Sequence, residues 1–302
     1  MKFAFFKGEI VPFEKATISI MTHAFNYGTG CFEGIRGYWN EDQKQMYIVK
    51  LKEHYDRLIK SAKTLKIKIS YSVPELVKLT CDLVRQNGYQ QDVYIRPLAY
   101  KSESKIGLGL HNLEDDFAIF LAPFGEYLDI SNGIKVCLSK YRRIASHSMP
   151  QGAKLTGTYF NSSLAKAEAL DRGYVEAITL SHKGNVSEGS AENIFMVKKG
   201  VIITPPLSDD LLPGITRLAV MELARKELGL KVIEKSFKPA ALFKADELFF
   251  TGTGVQISPI TQVEKTKIGK GVGPIAKQLQ ELYFRAVRGE NPKYKKWLTP
   301  VF

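Results

Sequence analysis

Lys154 and Glu188 are the two residues whose types and surroundings point to covalent chemistry. Lys154 lies in Met149-Pro-Gln-Gly-Ala-Lys-Leu-Thr-Gly-Thr-Tyr159, a run of small and polar residues with no acidic neighbour within five positions. An amine in such surroundings could be held unprotonated near neutral pH and form a Schiff base with a carbonyl cofactor. A lysine used in this way needs an electron sink. Pyridoxal phosphate is the common one, and it works best when a carboxylate keeps its pyridine nitrogen protonated. Glu188, in Val186-Ser-Glu-Gly-Ser-Ala-Glu-Asn-Ile194, could supply that carboxylate.

Other segments have the chemistry to bind the rest of such a ligand, each with an ordinary alternative. Leu212-Pro-Gly-Ile-Thr-Arg217 opens a helix, whose free N–H groups suit a phosphate, and Thr216 adds a hydroxyl; Pro-Gly before a helix is also a common turn. Thr251-Gly-Thr-Gly254 follows a buried strand and allows close backbone approach to a ligand, or is simply a glycine turn. Arg57 falls on the polar side of a helix, where it reads equally as a phosphate ligand or a solvated arginine. Phe25-Asn-Tyr-Gly-Thr-Gly-Cys-Phe-Glu-Gly-Ile-Arg-Gly-Tyr38 combines four glycines with Tyr27, Phe32 and Tyr38. It suits either a tight loop with aromatic walls or a glycine-rich hairpin.

The elements that must position these residues are visible in the hydrophobic pattern. Leu51, Tyr55, Leu58, Ala62 and Leu65 recur at helical spacing, predicting an amphipathic helix over 51–66. Ser72 and Glu75 form a capping box for a second helix that stops at Gly88. Val93–Tyr100 alternates, which puts Tyr94, Arg96, Leu98 and Tyr100 on one side of a strand, with Pro97 arguing for an edge or a bulge. Residues 117–122 read as a buried strand and 124–133 as a linker, so the expected organisation is a smaller α/β domain over 1–123, an interdomain loop, and a larger cofactor-binding domain over 134–302. Beyond it the pattern predicts strands at 134–139, 175–181, 192–197, 201–204 and 247–250. Helices are expected at 159–172 and 215–229, and a last one from Pro274.

Composition narrows the class. The chain has 302 residues, 44% hydrophobic and 25% charged, which suits one large or two ordinary globular domains rather than a disordered or fibrous chain. No apolar run approaches the roughly 20 residues that span a bilayer, and Lys7, Glu9 and Pro12 interrupt any signal-peptide pattern, so a cytoplasmic location and no membrane partner are expected. Cys31, Cys81 and Cys137 are too far apart for a zinc or redox pair, and the five histidines lack metal-ligand spacing, so no metal is expected. The net charge of +12 comes from dispersed lysines without a nucleic-acid-binding motif. It suits anionic substrates better than nucleic acid.

Taken in order, Phe32-Glu-Gly-Ile-Arg36, His54-Tyr-Asp-Arg57-Leu, Tyr94-Ile-Arg96-Pro, Gly107-Leu-Gly109, Lys154, Tyr159, Ser187-Glu188-Gly189, Glu192-Asn193, Leu212-Pro-Gly-Ile-Thr-Arg217 and Gly252-Thr253 resemble the class IV pyridoxal-phosphate aminotransferases. The likeness covers nearly the whole chain and is strongest to the branched-chain amino-acid aminotransferases. It implies a two-domain, fold-type IV pyridoxal-phosphate enzyme, α/β of the α+β type and similar to D-amino-acid aminotransferase, working as a homodimer or a larger assembly of dimers. By resemblance, Lys154 is the Schiff-base lysine and proton shuttle, and Glu188 pairs with the pyridine nitrogen. Arg57, Ile215, Thr216 and Thr253 match the phosphate cradle, and Tyr159 the tyrosine beside the ring oxygen. Tyr94 and Arg96 match the pair that places substrate carboxylates, and the backbone of Thr253 and Gly254 the α-carboxylate contact. Tyr27, Phe32, Gly34 and Leu110 match apolar pocket walls, some of them offered to a neighbouring subunit.

The implied reaction moves the amino group of L-leucine, L-isoleucine or L-valine to 2-oxoglutarate by a ping-pong mechanism. Relatives often carry a tryptophan in the interdomain loop. Here the segment is Phe124-Gly-Glu-Tyr127, and Tyr127 is expected to cover the pocket instead. That departure keeps a D-amino-acid transaminase, an (R)-amine transaminase and an aminodeoxychorismate lyase as rivals on the same fold. A non-catalytic basic binding module is the rival from another class.

Overall fold

The computed structural model describes every residue except Gln151. Its contacts divide the chain into two units. The first comprises Met1–Gly125, Ala153–Gly157 and Arg285–Phe302, and the second Glu126–Gly152 and Thr158–Phe284. Elements are numbered along the chain.

The first unit is built from β1 (Phe3–Phe6), β2 (Glu9–Pro12), α1 (His23–Tyr27), β3 (Gly30–Phe32), β4 (Ile35–Asn40), β5 (Gln45–Val49), α2 (Leu51–Thr64), α3 (Val73–Asn87), β6 (Val93–Lys101) and β7 (Asp115–Pro123). A short C-terminal strand, Leu298–Pro300, pairs with β5 at one edge. The sheet then runs β5-β4-β6-β7-β1-β2, with β3 on β6 in line with β4. The helical spacing of Leu51, Tyr55, Leu58 and Ala62 buries that face of α2, and Gly88, at φ 66°, ends α3 in the left-handed region that favours glycine. The capping box is formed: Glu75 accepts from the backbone of Ser72 at 2.7 Å.

Pro97 corrects one expectation. It stands in the middle of the sheet, paired with Ile119 on β7, not at an edge. On its other side, Phe32 pairs with Leu98 and Ile35 with Ile95, so one register runs through β3 and β4. Glu33 N donates to Pro97 O at 3.0 Å, but proline has no N–H to return the bond. The ladder therefore opens opposite Glu33-Gly34, and β3 and β4 are distinct strands.

The second unit contains β8 (Ile134–Arg142), α4 (Tyr159–Asp171), β9 (Glu176–Leu180), β10 (Val186–Gly189), β11 (Asn193–Lys198), β12 (Val201–Thr204), α5 (Ile215–Lys226), β13 (Val232–Glu234), β14 (Glu247–Gly252), β15 (Gln256–Val263), β16 (Thr266–Lys267) and α6 (Pro274–Val287). Its last helix continues into residues that count with the first unit. The order is β10-β9-β8-β15-β14-β11-β12-β13, and an additional β10–β11 pairing closes six of these strands into a ring. Closure removes the exposed edges of those strands. Ile178, Val186, Ile194, Phe250 and Ile260 gather in its core, none more than 1% exposed. Strands β10, β13, β15 and β16 were not expected from the pattern, because Val-Ser-Glu-Gly lacks apolar alternation and Pro259 interrupts β15. No helix among the described residues is long and apolar enough to cross a membrane.

Candidate active site

Lys154 belongs to the first unit through its backbone. Its N–H donates to Ser61 Oγ on α2 at 2.9 Å, and its carbonyl accepts from Phe32 N at 3.1 Å. Lys154 Nζ stands 5.1 Å from the centroid of the Phe32 ring, and the Arg96 guanidinium stands 4.3 Å from the same ring. One aromatic side chain thus carries both an amine and a guanidinium. Arg96 Nη2 donates to Tyr94 Oη at 2.7 Å, as the alternation along β6 predicts. Arg96 Nε is buried with no hydrogen-bond partner among the described residues, an energetic cost that usually marks a functional constraint. Gly34 is required here: a Cβ would lie 2.3 Å from Tyr94 Oη. Phe32, Gly34, Tyr94, Arg96 and Lys154 therefore form one group.

Arg57 is positioned by a residue to which the sequence reading gave no role. Its Nε and Nη2 each lie 2.7 Å from the carboxylate of Glu33, which is fully buried, and His54 Nδ1 meets the same carboxylate at 2.7 Å. Burial alone would raise the Glu33 carboxyl. The charge and hydrogen bonds of Arg57, with those of His54, outweigh burial and hold it down at about 2. Burial in turn lowers the His54 imidazole, so a neutral ring that donates from Nδ1 fits the site.

Tyr27 and Leu110 form a different group. Tyr27, which ends α1, accepts from Gly107 N at 3.1 Å, and His23 Nε2 meets Gly107 O at 2.8 Å. Leu110 is half-buried on the same loop. Around them Ile20, Phe25, Ile106 and Leu108 are 80%, 68%, 82% and 82% exposed.

In the second unit, Glu188 is enclosed by donors. Asn193 Nδ2 donates to its Oε2 at 3.0 Å, the Leu212 N–H to the same oxygen at 3.3 Å, and Arg143 Nε stands 3.0 Å from Oε1. The Arg143 contact is an ion pair whose N–H is not aligned as a hydrogen bond. Asn193 also donates to Leu212 O at 2.9 Å. A single carboxamide thereby ties Glu188 to the segment leading into α5. That helix starts at Ile215 and Thr216, with Gly214 as its N-cap and no acidic residue in its first turn. Its first N–H groups have no acceptors within the helix, which is the arrangement that takes up a phosphate.

The end of β14 meets the same strand, because Asn193 pairs with Thr251, and Thr253 and Gly254 follow in the turn to β15. Ser187 Oγ and Thr251 Oγ1, next in sequence or register to Glu188 and Asn193, are buried without partners among the described residues. Tyr159 is the first residue of α4. Tyr127 is 52% exposed, with Lys166 Nζ 5.7 Å from its ring centroid.

A family model for class IV amino-transferases matches residues 30–263. The chain belongs to the class IV aminotransferases. This aminotransferase is 50% identical, over all of its own length and 97% of the relative's, to a probable branched-chain-amino-acid aminotransferase of Aquifex aeolicus. Among solved structures it is similar to the branched-chain aminotransferase of Thermoproteus uzoniensis crystallised with norvaline, with a TM-score of 0.95, 42% identity and 99% of each chain covered. It is also similar to the branched-chain amino acid aminotransferase of Thermobaculum terrenum in its pyridoxal-phosphate form, with a TM-score of 0.95, 36% identity, and 100% and 98% of the two chains covered.

The side chains of this aminotransferase fit pyridoxal phosphate in kind. The first unit offers an amine, Lys154, and a guanidinium held rigid by Glu33. The second offers an oriented carboxylate, Glu188, and an acid-free helix N-terminus. An aldehyde, a phosphate and a pyridine nitrogen each have a matching partner type among them.

Proposed function

We propose that this enzyme is a pyridoxal-phosphate-dependent branched-chain amino-acid transaminase, which converts L-leucine, L-isoleucine or L-valine to the 2-oxo acid and 2-oxoglutarate to L-glutamate. The observation that carries the reading is the Phe32 ring with Lys154 on one contact and Arg96, bonded to Tyr94, on another. A transaminase must accept an aliphatic and an acidic substrate in alternation. An apolar ring bordered by a single guanidinium meets both demands.

Pyridoxal phosphate, when bound, supplies the carbonyl that captures an amino group and the electron sink that lets the α-proton leave. Lys154 Nζ would be the group that takes this proton from the substrate α-carbon and holds it for return. Glu188 would keep the ring nitrogen protonated. Arg57, the first N–H groups of α5 at Ile215 and Thr216, and Thr253 would hold the phosphate, and Tyr159 would donate to the ring oxygen. Tyr94 and the backbone at Thr253 and Gly254 orient the substrate carboxylate, while Arg96 receives the side-chain carboxylate of glutamate. Phe32 and Gly34 shape the aliphatic space, and Tyr127 covers it.

The protein works as a cytoplasmic homodimer in this reading. Support comes from Ile20, Phe25, Ile106 and Leu108, which leave an apolar patch on the first unit unusual for a monomer, beside Tyr27 and Leu110. A second copy covering the patch would present those two residues to its neighbour's pocket.

The test is spectroscopic and kinetic. Purified protein should be yellow, change its absorbance on addition of L-leucine, and form L-glutamate from 2-oxoglutarate. Lys154→Ala should lose both the absorbance change and turnover. Absence of activity with all three branched-chain substrates, alongside activity with D-alanine or a chiral primary amine, would reject the assignment.

A further inference from the structure

We propose that Arg143 is a positioning residue that tempers the proton affinity of the cofactor ring nitrogen by placing a permanent cation against Glu188. The inference rests on the functional reading above. Arg143 follows directly on β8, where its backbone N–H donates to Leu180 O at 2.9 Å. Its Nη1 donates to Ser162 Oγ, in the first turn of α4, at 3.1 Å, and its Nε lies 3.0 Å from Glu188 Oε1. Both side chains are nearly buried, at 10% and 3% exposure. The hydroxyl on α4 and the backbone bond to β9 fix where the charge stands.

The two carboxylate oxygens of Glu188 are treated differently. Oε2 takes neutral donors, the Asn193 amide and the Leu212 N–H, whereas Oε1 faces the arginine. Neutral donors alone would orient a carboxylate and leave its charge available to a protonated pyridine. A guanidinium at 3.0 Å shares that charge and repels a second cation on the other side of the carboxylate. The ring nitrogen is then protonated less firmly than by an unshared glutamate, and its proton is held without being locked.

Charges that also act here include Glu192, at the turn before β11, and, around Glu192, Glu176 on β9 and Lys166 on α4. Lys166 Nζ is paired with Glu176 at 2.9 Å. Glu192, buried, is pushed up to about 8 by burial and then by Glu176, so it also titrates in the relevant range. The experiment must separate the two.

Protonation of the bound cofactor's ring nitrogen is titrated against pH in the holoenzyme through the 15N chemical shift of ring-labelled cofactor, for wild type, Arg143→Met, Arg143→Lys and Ser162→Ala, each also in a Glu192→Gln background. Removing the cation should raise the midpoint by roughly 0.5–1 pH unit in Arg143→Met, and Arg143→Lys should restore it. Ser162→Ala, which frees Arg143 to swing away, should shift the midpoint in the same direction by less, and it carries the test if Arg143→Met fails to fold. The shifts should persist with Gln at position 192. Wild-type midpoints in both Arg143→Met and Ser162→Ala, with cofactor retained, would overturn the proposal while leaving the transaminase reading intact. A colourless wild type would overturn both.

Discussion

The edge nitrogens of Arg57 close on the two carboxylate oxygens of Glu33, Nε to Oε1 and Nη2 to Oε2, each at 2.7 Å. A guanidinium held along one edge in this way keeps a fixed plane, which suits a ligand that needs a directed cation rather than a mobile one. The cost is a buried negative charge, and His54 Nδ1 shares it.

Glu33→Gln is therefore expected to weaken cofactor binding through the phosphate. Affinity for pyridoxal phosphate should fall about tenfold, while affinity for pyridoxal, which lacks the phosphate, should change little; equilibrium dialysis with both compares them. The same residue has an acid signature. Its folded value of about 2 lies below the ordinary 4.5, so its contribution to stability is fully present above pH 4.5 and is lost as pH falls from 4.5 to about 2. On the order of 2–3 kcal/mol should disappear over that window in the wild type and be missing from the pH dependence of Glu33→Gln in urea titrations.

Gly214→Ala tests the tie between Glu188 and α5. Gly214 has φ −66°, which alanine adopts freely, so backbone strain does not enter. The added Cβ would instead lie 2.0 Å from Asn193 Oδ1. Asn193 cannot yield without losing its bonds to Glu188 Oε2 and Leu212 O. The variant should fold, as judged by far-ultraviolet circular dichroism, yet bind the cofactor at least roughly tenfold more weakly, the cost of about one to two buried hydrogen bonds. Binding at the wild-type level would show that Asn193 has room to move.

These two cases mark what was legible in the sequence. Helices α2, α3, α4 and α5 follow from apolar spacing, caps and terminal glycines, because those signals act within a few residues. Glu33 and Arg143 were not assigned roles, because each acquires its meaning from a partner distant in the chain: Arg57 for one, Glu188 and Ser162 for the other. Strand β10 is all buried although it reads Val-Ser-Glu-Gly, since burial there serves the carboxylate rather than an apolar face. The return of Ala153–Gly157 to the first unit is likewise a matter of long-range bonds, through Cys31–Leu155 and Ser61–Lys154. Lys154 itself stood out because its chemistry is local.

Glu192 gives a prediction of opposite sign to Glu33. Burial, followed by the neighbouring Glu176 carboxylate, pushes its carboxyl up from 4.5 to about 8. The folded protein keeps this proton where the unfolded chain releases it, so the stabilising effect is present below pH 4.5 and is lost as pH rises to about 8. Glu192→Gln, a neutral mimic of the protonated acid, should have a flatter stability profile over that range. Chemical denaturation at several pH values between them measures it, and parallel profiles for variant and wild type would contradict the protonated carboxyl.

Arg96→Met should separate the two halves of the reaction. Arg96 stands 4.3 Å from the Phe32 centroid and is bonded to Tyr94 Oη, so methionine can keep the apolar contact while removing the charge. The half-reaction with L-leucine needs the α-carboxylate contacts and the aliphatic space beside Phe32, but no second carboxylate site. Its kcat/KM should fall less than tenfold, the part attributable to a less firmly held Tyr94. The half-reaction with 2-oxoglutarate places a second carboxylate where Arg96 was, and loss of a charge-assisted pair should raise its KM by roughly 10- to 100-fold. Tyr94→Phe supplies the control: it breaks the bond at 2.7 Å without removing the guanidinium, so both half-reactions should suffer to a similar degree. Stopped-flow measurement of each half-reaction separates the cases. An Arg96→Met variant that slows leucine and 2-oxoglutarate equally would show that Arg96 serves only to hold Tyr94, and the recognition of the acidic substrate would then have to be sought elsewhere.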